Sequence, residues 1–213
     1  MPPEDGPVSH FFAYLSRMRF VRRWGLMRNT YDENLQEHSL QVAMIAHALA
    51  VIRNRMFEGT VNPERAAALA LFHDAEEVLT GDVVAPIKHF SHKIRRAHLE
   101  VAGVARQKLY AMLPAAIRKD FRPLLFEEKG DQHEWQIVHA ADKLCAHLKC
   151  VEEMRVGNED FAKAAVVLKQ QVESIRLPEV AYFLKTFAPS FAMTLDELNQ
   201  SDARPRRAQP RLP

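Results

Sequence analysis

Residues 61–74 read "VNPERAAALALFHD". Asn62 supplies a side-chain oxygen where a helix would begin, Pro63 suits the first turn because the N–H it lacks has no partner there, and Glu64 favours the positive end of the helix dipole. Ala66, Leu69, Ala70 and His73 then fall on neighbouring rungs of one face. Small alanines let another helix approach closely, so the stretch predicts a central, packed helix. It runs straight into "LFHDAEEVLTGD", residues 71–82, with one histidine and four carboxylates in twelve residues. A packed helix that ends in such a cluster needs a chemical reason.

The flanking chain also reads as helices. A first helix is predicted over about residues 9–20, with Ser9 as its cap and Phe11, Phe12, Leu15, Met18 and Val21 as a broad apolar face. Residues 22–36, "RRWGLMRNTYDENLQ", lose that periodicity and read as a loop. A long helix over about 37–57 follows, and its stripe of Val42, Ile45, Leu49, Ile52 and Met56 runs back to His38, which points toward the core from the first turn. Beyond Gly81 the period breaks, and Pro86 opposes continuation as one straight helix. An amphipathic helix is predicted over 93–112, a short weak element lies between Pro114 and Pro123, and a long helix over 134–154 buries Val138, Ala141, Cys145 and Leu148. Further helices are expected over 160–175, over 180–187 and from Thr194, where Thr194 and Glu197 make a capping-box pattern. No period-two alternation, repeat, heptad array or glycine-rich phosphate loop occurs, so the fold class is all-α, a nonrepetitive helical bundle.

The 213 residues are 47% hydrophobic and 26% charged, which is ordinary for a globular domain and enough for one substantial core. A single domain over residues 1–200 is expected, followed by a disordered basic tail over 201–213, "SDARPRRAQPRLP". The tail carries +3 of a formal net charge of +2, leaving −1 on the rest. Basic residues do not interleave with aromatics as a platform, so no specific nucleic-acid partner is expected. Cys145 and Cys150 are too few for a disulfide framework and are not spaced as CxxC, which fits a reducing cytoplasm. No cationic leader precedes an apolar run and no stretch of about 18 apolar residues occurs, so neither secretion nor a membrane span is expected.

His38, His73, Asp74 and Asp142 stand out, because they arrive from three predicted helices and combine two imidazoles with two carboxylates. Such a donor set suits Mn, Co, Fe, Ni or Zn, with positions left for water and substrate. A sulfur-rich structural zinc site is excluded by the cysteine count. Spacing alone leaves another reading open, in which these are hydrogen-bonded core histidines beside a chance His-Asp pair. Asp142 is expected to be buried, where a metal would offset the cost of an unpaired carboxylate.

The order His38, then His73 and Asp74, then Asp142 resembles the H…HD…D pattern of the HD-domain phosphohydrolases. A closer resemblance covers about residues 9–197. The segments "HFFAYLSRMRFVRRWGLMRN", "EHSLQVAMIAHALA", "HDAEEVLTGDVVAPIKHF" and "ADKLCAHLKCVEEM" are similar to the bacterial YfbR-like 5′-deoxynucleotidases. The resemblance implies an HD-domain helical bundle, a homodimer, a divalent transition metal (Co, Mn, Zn, Fe or Ni), and hydrolysis of deoxyribonucleoside 5′-monophosphates to deoxyribonucleosides and phosphate. By position it implies His38, His73, Asp74 and Asp142 as metal ligands, with His38 and Asp142 also lining the substrate and Asp74 taking part in catalysis. It further implies Glu77 as the acid that positions water or moves a proton toward the departing 5′ oxygen. Arg23 and Trp24 match the family's "RW" near the nucleotide, and Asp82 matches the aspartate of its "TGD", toward the sugar's 3′ side. Thr80 and Lys88 are further candidates for phosphate or loop contacts, and Glu76 should face elsewhere. The chain departs from the family pattern at Gly25, where proline is frequent, and at Val84 and Ala85, where a "PTP"-like sequence is common.

Arginine's planar fork can grip two phosphate oxygens, and a tryptophan can stack on any base, giving affinity with little base selectivity. The ordinary alternatives are an exposed Arg23, a core Trp24, a solvated helix-end Glu77 and an Asp82 that caps the turn after Gly81. Two other functions fit the metal pattern: an HD phosphohydrolase acting on another nucleotide, and a nonenzymatic nucleotide-binding regulator. The "RW" and "TGD" segments favour a small nucleoside monophosphate, and the presence of all four ligands favours an enzyme.

Overall fold

The computed structural model describes residues 8–88 and 90–201, and within them the chain forms helices and no strand. In order these are α1 (Phe11–Leu15), α2 (Leu35–Met56), α3 (Pro63–Phe72), α4 (Glu77–Thr80), α5 (Ala85–Lys88), α6 (His92–Ala111), α7 (Ala115–Leu125), α8 (Gln132–Arg155), α9 (Ala162–Glu173), α10 (Pro178–Thr186) and α11 (Leu195–Ser201). No helix among the described residues is long and apolar enough to cross a membrane. The expectation for the basic tail falls on residues 202–213, which lie outside the described residues.

Three helices, α2, α3 and α8, pack on one another and carry most of the core. α3 is the predicted central helix, with the Asn62 side chain accepting from the Arg65 N–H at 2.9 Å and with Ala66, Leu69 and Ala70 fully buried. α2 starts two residues before the expected point, because Asn34 caps it: its Oδ1 accepts from the Gln36 and Glu37 N–H groups, both at 3.0 Å, and Glu37 reaches back to the Asn34 N–H. Val42, Ile45, Leu49 and Ile52 are buried as the stripe predicts, whereas Met56, at its end, is exposed. In α8, Val138, Ala141, Cys145 and Leu148 are all fully buried.

A second cluster of Phe11, Ala75, Leu109, Leu113 and Leu125 joins α1, α6 and α7 below the turn that follows α3. Two expectations are corrected in this layer. Ser9 does not cap one continuous first helix; its hydroxyl donates to the Met112 carbonyl at 2.7 Å, and α1 gives way after Leu15 to a 3-10 turn, Ser16–Phe20. Pro123 does not close a short element but sits inside α7, in its last turn, where its missing N–H removes one hydrogen bond, to the Lys119 carbonyl, close to where the helix ends anyway. At the far end of the chain the Thr194 and Glu197 capping box is present, with Thr194 N–H to Glu197 Oε2 at 2.7 Å and Glu197 N–H to Thr194 Oγ1 at 3.3 Å.

Candidate metal and nucleotide site

α3 ends at Phe72, one residue before the histidine it was expected to carry. From there the backbone tightens to three-residue steps, with His73 N–H to Ala70 O, Ala75 N–H to Phe72 O and Glu77 N–H to Asp74 O. This turn swings His73 and Asp74 toward the first turn of α2, which presents His38, and toward the middle of α8, which presents Asp142. One ligand atom from each of His38, His73 and Asp74 lies within 4.8 Å of the others. Asp142 Oδ1 stands 3.0 Å from His38 Nε2 and 4.0 Å from His73 Nε2. The expected burial of Asp142 is corrected: its side chain is 39% exposed, while Val138, Ala141 and Cys145 beside it on α8 take the core-facing positions.

The donor chemistry fits a cation. His73 Nδ1 lies 2.7 Å from the Ala70 carbonyl, which can only accept, so Nδ1 carries the proton and Nε2 a lone pair in the neutral ring. That Nε2 is buried with no hydrogen-bond partner, yet Asp74 Oδ2 is 3.0 Å away. A lone pair facing a carboxylate is relieved by a proton or a metal ion. In the metal-free chain burial would lower the His73 pKa, but Asp74, and then Asp142, outweigh it and raise it to about 9. The partial loss of water around Asp142 opposes its ionisation, but the His38 hydrogen bond and the charges of His38 and His73 bring it down to about 2.

An acidic arm lies beside the cluster. Glu77 opens α4 and is only 5% exposed; its Oε1 accepts from Lys88 Nζ at 3.2 Å, and its Oε2 is buried without a partner. Burial, followed by the charge of Asp74, raises its pKa to about 8 despite Lys88. Gly81 has φ +73°, a conformation that costs glycine little, and past it Asp82 Oδ1 comes within 3.6 Å of Lys88 Nζ. Lys88 therefore bridges two carboxylates. Thr80 is not brought to this group; its hydroxyl donates to the Gly81 carbonyl at 3.1 Å. Glu76 faces away, as expected, and pairs with Arg106 of α6.

The third part is the loop between α1 and α2. Arg23 is not an exposed arginine: its side chain is 12% exposed, with Nη1 3.8 Å from Asp74 Oδ2 and Nε 3.2 Å from Glu33 Oε2. Trp24 adopts φ +59°, uncommon for a bulky residue, and its ring rests against Phe161 with centroids 5.2 Å apart. Its Nε1 donates to Glu33 Oε2 at 2.8 Å. Burial opposes the charge on Glu33, yet His38, Arg23 and Trp24 hold its pKa down to about 2. Arg23, Trp24 and His38 are thus joined through Glu33, a residue to which sequence reasoning gave no role, and Arg23 carries the link on to Asp74.

A family model for YfbR-like 5′-deoxynucleotidases matches residues 10–191. The chain is 51% identical over 191 residues to the 5′-deoxynucleotidase of Vibrio cholerae, covering 90% of this chain and 98% of that one. It belongs to the YfbR-like 5′-deoxynucleotidase family. Another relative, 5′-deoxynucleotidase YfbR of Shigella boydii, is 50% identical over 192 residues, with 90% of this chain and 96% of that one covered. The structure of an HD-domain phosphohydrolase from Listeria innocua matches with a TM-score of 0.76 at 24% identity, covering 89% of this chain and 92% of that one. The cyanophage S-2L HD phosphohydrolase DatZ, solved bound to dA and one catalytic Zn2+ ion, matches with a TM-score of 0.54 at 18% identity, covering 84% and 95%. These two likenesses establish the HD-domain fold.

Within this YfbR-like frame, nine of the ten residues expected from the sequence lie in one connected region: His38, His73, Asp74 and Asp142 together, Glu77, Lys88 and Asp82 in the acidic arm, and Arg23 reaching Asp74, with Trp24 tied to it through Glu33. Thr80 alone is turned aside. Glu33 went unnoticed because an acid in an aperiodic loop carries no spacing signal. The one available hint was "ENLQEH", in which an acid precedes a capping box that leads to His38.

Proposed function

We infer that the chain is a metal-dependent 5′-deoxynucleotidase that hydrolyses deoxyribonucleoside 5′-monophosphates to deoxyribonucleosides and phosphate. The observation that carries this reading is the meeting of two imidazoles and two carboxylates, from α2, α8 and the turn after α3, in a chain about half identical to proteins named for that activity. His38, His73, Asp74 and Asp142 would hold the ion, which when bound acidifies water and counters charge on the phosphoryl oxygens. Their nitrogen and oxygen donors suit Mn, Fe, Co, Ni or Zn.

The remaining groups act on the substrate. Arg23 supplies a buried, permanently charged fork beside Asp74, placed to grip phosphate. Glu77, protonated near neutral pH in the metal-free chain, is placed to donate a proton to the departing 5′ oxygen or to orient the attacking water. Trp24 offers a face for the base or sugar, and Asp82, held by Lys88, addresses the 3′ side of the sugar. Lys88 helps orient Glu77 and Asp82. We also propose a homodimer, a cytoplasmic location in keeping with two buried free thiols, and a single domain over residues 1–200 with an accessory tail.

The test is phosphate release from all deoxy- and ribonucleoside 5′-monophosphates after reconstitution with each metal. Strong deoxy and weak ribo turnover supports the reading. Turnover only of triphosphates or cyclic nucleotides overturns it.

A further inference from the structure

Glu33 is buried at 7% exposure between the nucleotide loop and the metal cluster, and its two oxygens face different ways. Oε2 accepts from Trp24 Nε1 at 2.8 Å and from Arg23 Nε at 3.2 Å. Oε1 lies 3.7 Å from Nδ1 of His38, a nitrogen that is buried and has no hydrogen-bond partner. The other ring nitrogen, Nε2, faces Asp142 at 3.0 Å. The Glu33 backbone takes part as well: its carbonyl accepts from the Arg23 N–H at 3.0 Å, next to the isolated bridge between Arg22 and Asn34. The residue after it is the cap of α2, so Glu33, Asn34 and His38 are fixed by one helix start.

We propose that Glu33 is a positioning residue that holds the nucleotide-reading pair and the metal ligand in one register, Trp24 and Arg23 through one oxygen and His38 through the other. It touches neither the phosphate nor the ion. By favouring the proton on His38 Nδ1, the carboxylate leaves Nε2 bare on the side of Asp142, where a ligand nitrogen is needed. The same carboxylate keeps the Trp24 ring and the Arg23 fork oriented in a loop that has no regular structure of its own. This inference rests on the metal site of the proposed function.

Glu33→Gln separates the two oxygens, because a carboxamide has one acceptor and one donor end. Its oxygen should remain with Trp24 and Arg23, which offer two donors, and its NH2 should turn to His38. Nδ1 must then accept, and the ring proton moves to Nε2.

The experiment measures Mn2+ and Zn2+ affinity by calorimetry on wild type and Glu33→Gln. Trp24 emission is followed in both within a Trp135→Phe background, since the chain has two tryptophans. Metal affinity should fall about 10- to 100-fold, with Trp24 emission and helical content kept. Affinity within twofold of wild type in the folded variant overturns the proposal. Zinc-loaded wild type labelled with 15N-histidine gives a reading that does not depend on the variant folding. His38 should carry its proton on Nδ1; metal on Nδ1 overturns the proposal. Failure of wild type to bind either ion would instead sink the proposed function, so the two failures are distinguishable.

Discussion

Glu77 gains its chemistry from being shut away. With one oxygen on Lys88 and the other buried without a partner, it keeps a proton that an exposed glutamate would have lost. A positioned acid of this kind contributes about 10²- to 10⁴-fold to rate, so Glu77→Ala should lower kcat by that order while metal content and helical signal stay near wild type. Full activity in that variant would remove Glu77 from the mechanism. Glu76, one residue earlier, is spent on Arg106 outside the cluster, so Glu76→Gln should leave the metal affinity of the protein unaltered. Arg23 makes a different demand, since its charge is already shared with Glu33 and Asp74. Arg23→Ala loses a charge-assisted contact of about 1.5–3 kcal/mol, which should appear in substrate affinity more than in metal affinity. Equal substrate affinity in Arg23→Ala and wild type would contradict its assignment to phosphate.

The elements that hold these side chains depend on local devices of measurable strength. The loop before α2 is pinned to α8 by a buried pair: Lys149, 2% exposed, donates to Glu153 and to the Tyr31 carbonyl at 2.9 Å, and Glu153 accepts from Thr30 Oγ1 at 2.6 Å and Asn158 Nδ2 at 2.7 Å. Lys149→Met strands the Glu153 charge and should cost about 3–5 kcal/mol in urea unfolding. A loss below about 1 kcal/mol, the size expected of an exposed pair, would mean that the pair is not an anchor. At the start of α2, Asn34→Ala should cost about 1 kcal/mol, because two N–H groups lose their acceptor. What was readable in the sequence follows the same division. α3 and α8 were legible because a cap, small residues and a three-to-four spacing all point one way, and the His73-Asp74 pair was legible because its two members are neighbours in the chain. The Asn34 cap was missed because its box lies in a stretch with no apolar period. The Lys149–Glu153 anchor spans to Thr30 and Tyr31 across more than a hundred positions, a separation that no local pattern encodes. The exposure of Asp142 depends on how the neighbouring helices pack against α8, which a helical stripe does not record.

Over the whole molecule, the groups gathered by α2, α8 and the turn after α3, together with the Lys149–Glu153 pair, set how stability varies with pH. In the chelated protein, Glu33 and Glu153 are both held to about 2 from an ordinary 4.5. Below pH 4.5 the unfolded chain takes up protons that the folded chain refuses, and stability falls as pH falls toward 2. Glu77 and His73 act in the opposite sense, being raised to about 8 and about 9 from ordinary values of 4.5 and 6.5. There the folded chain keeps protons that the unfolded chain has released, so stability declines as pH rises through each window. The two slopes place the optimum of the chelated protein at about pH 5. A metal ion opposes the His73 part of the alkaline slope, because it binds the deprotonated ring, and at 100 times its Kd it adds about 2.7 kcal/mol. Melting temperature followed from pH 3 to pH 9, a range chosen to span roughly these windows, should therefore peak at mildly acidic pH in chelator and move upward in pH with Mn2+ or Zn2+. Asp142→Ala should abolish that displacement. A chelated optimum at about pH 8 or above, or an optimum that metal leaves in place, would contradict a site in which His73 holds a proton until an ion takes its place.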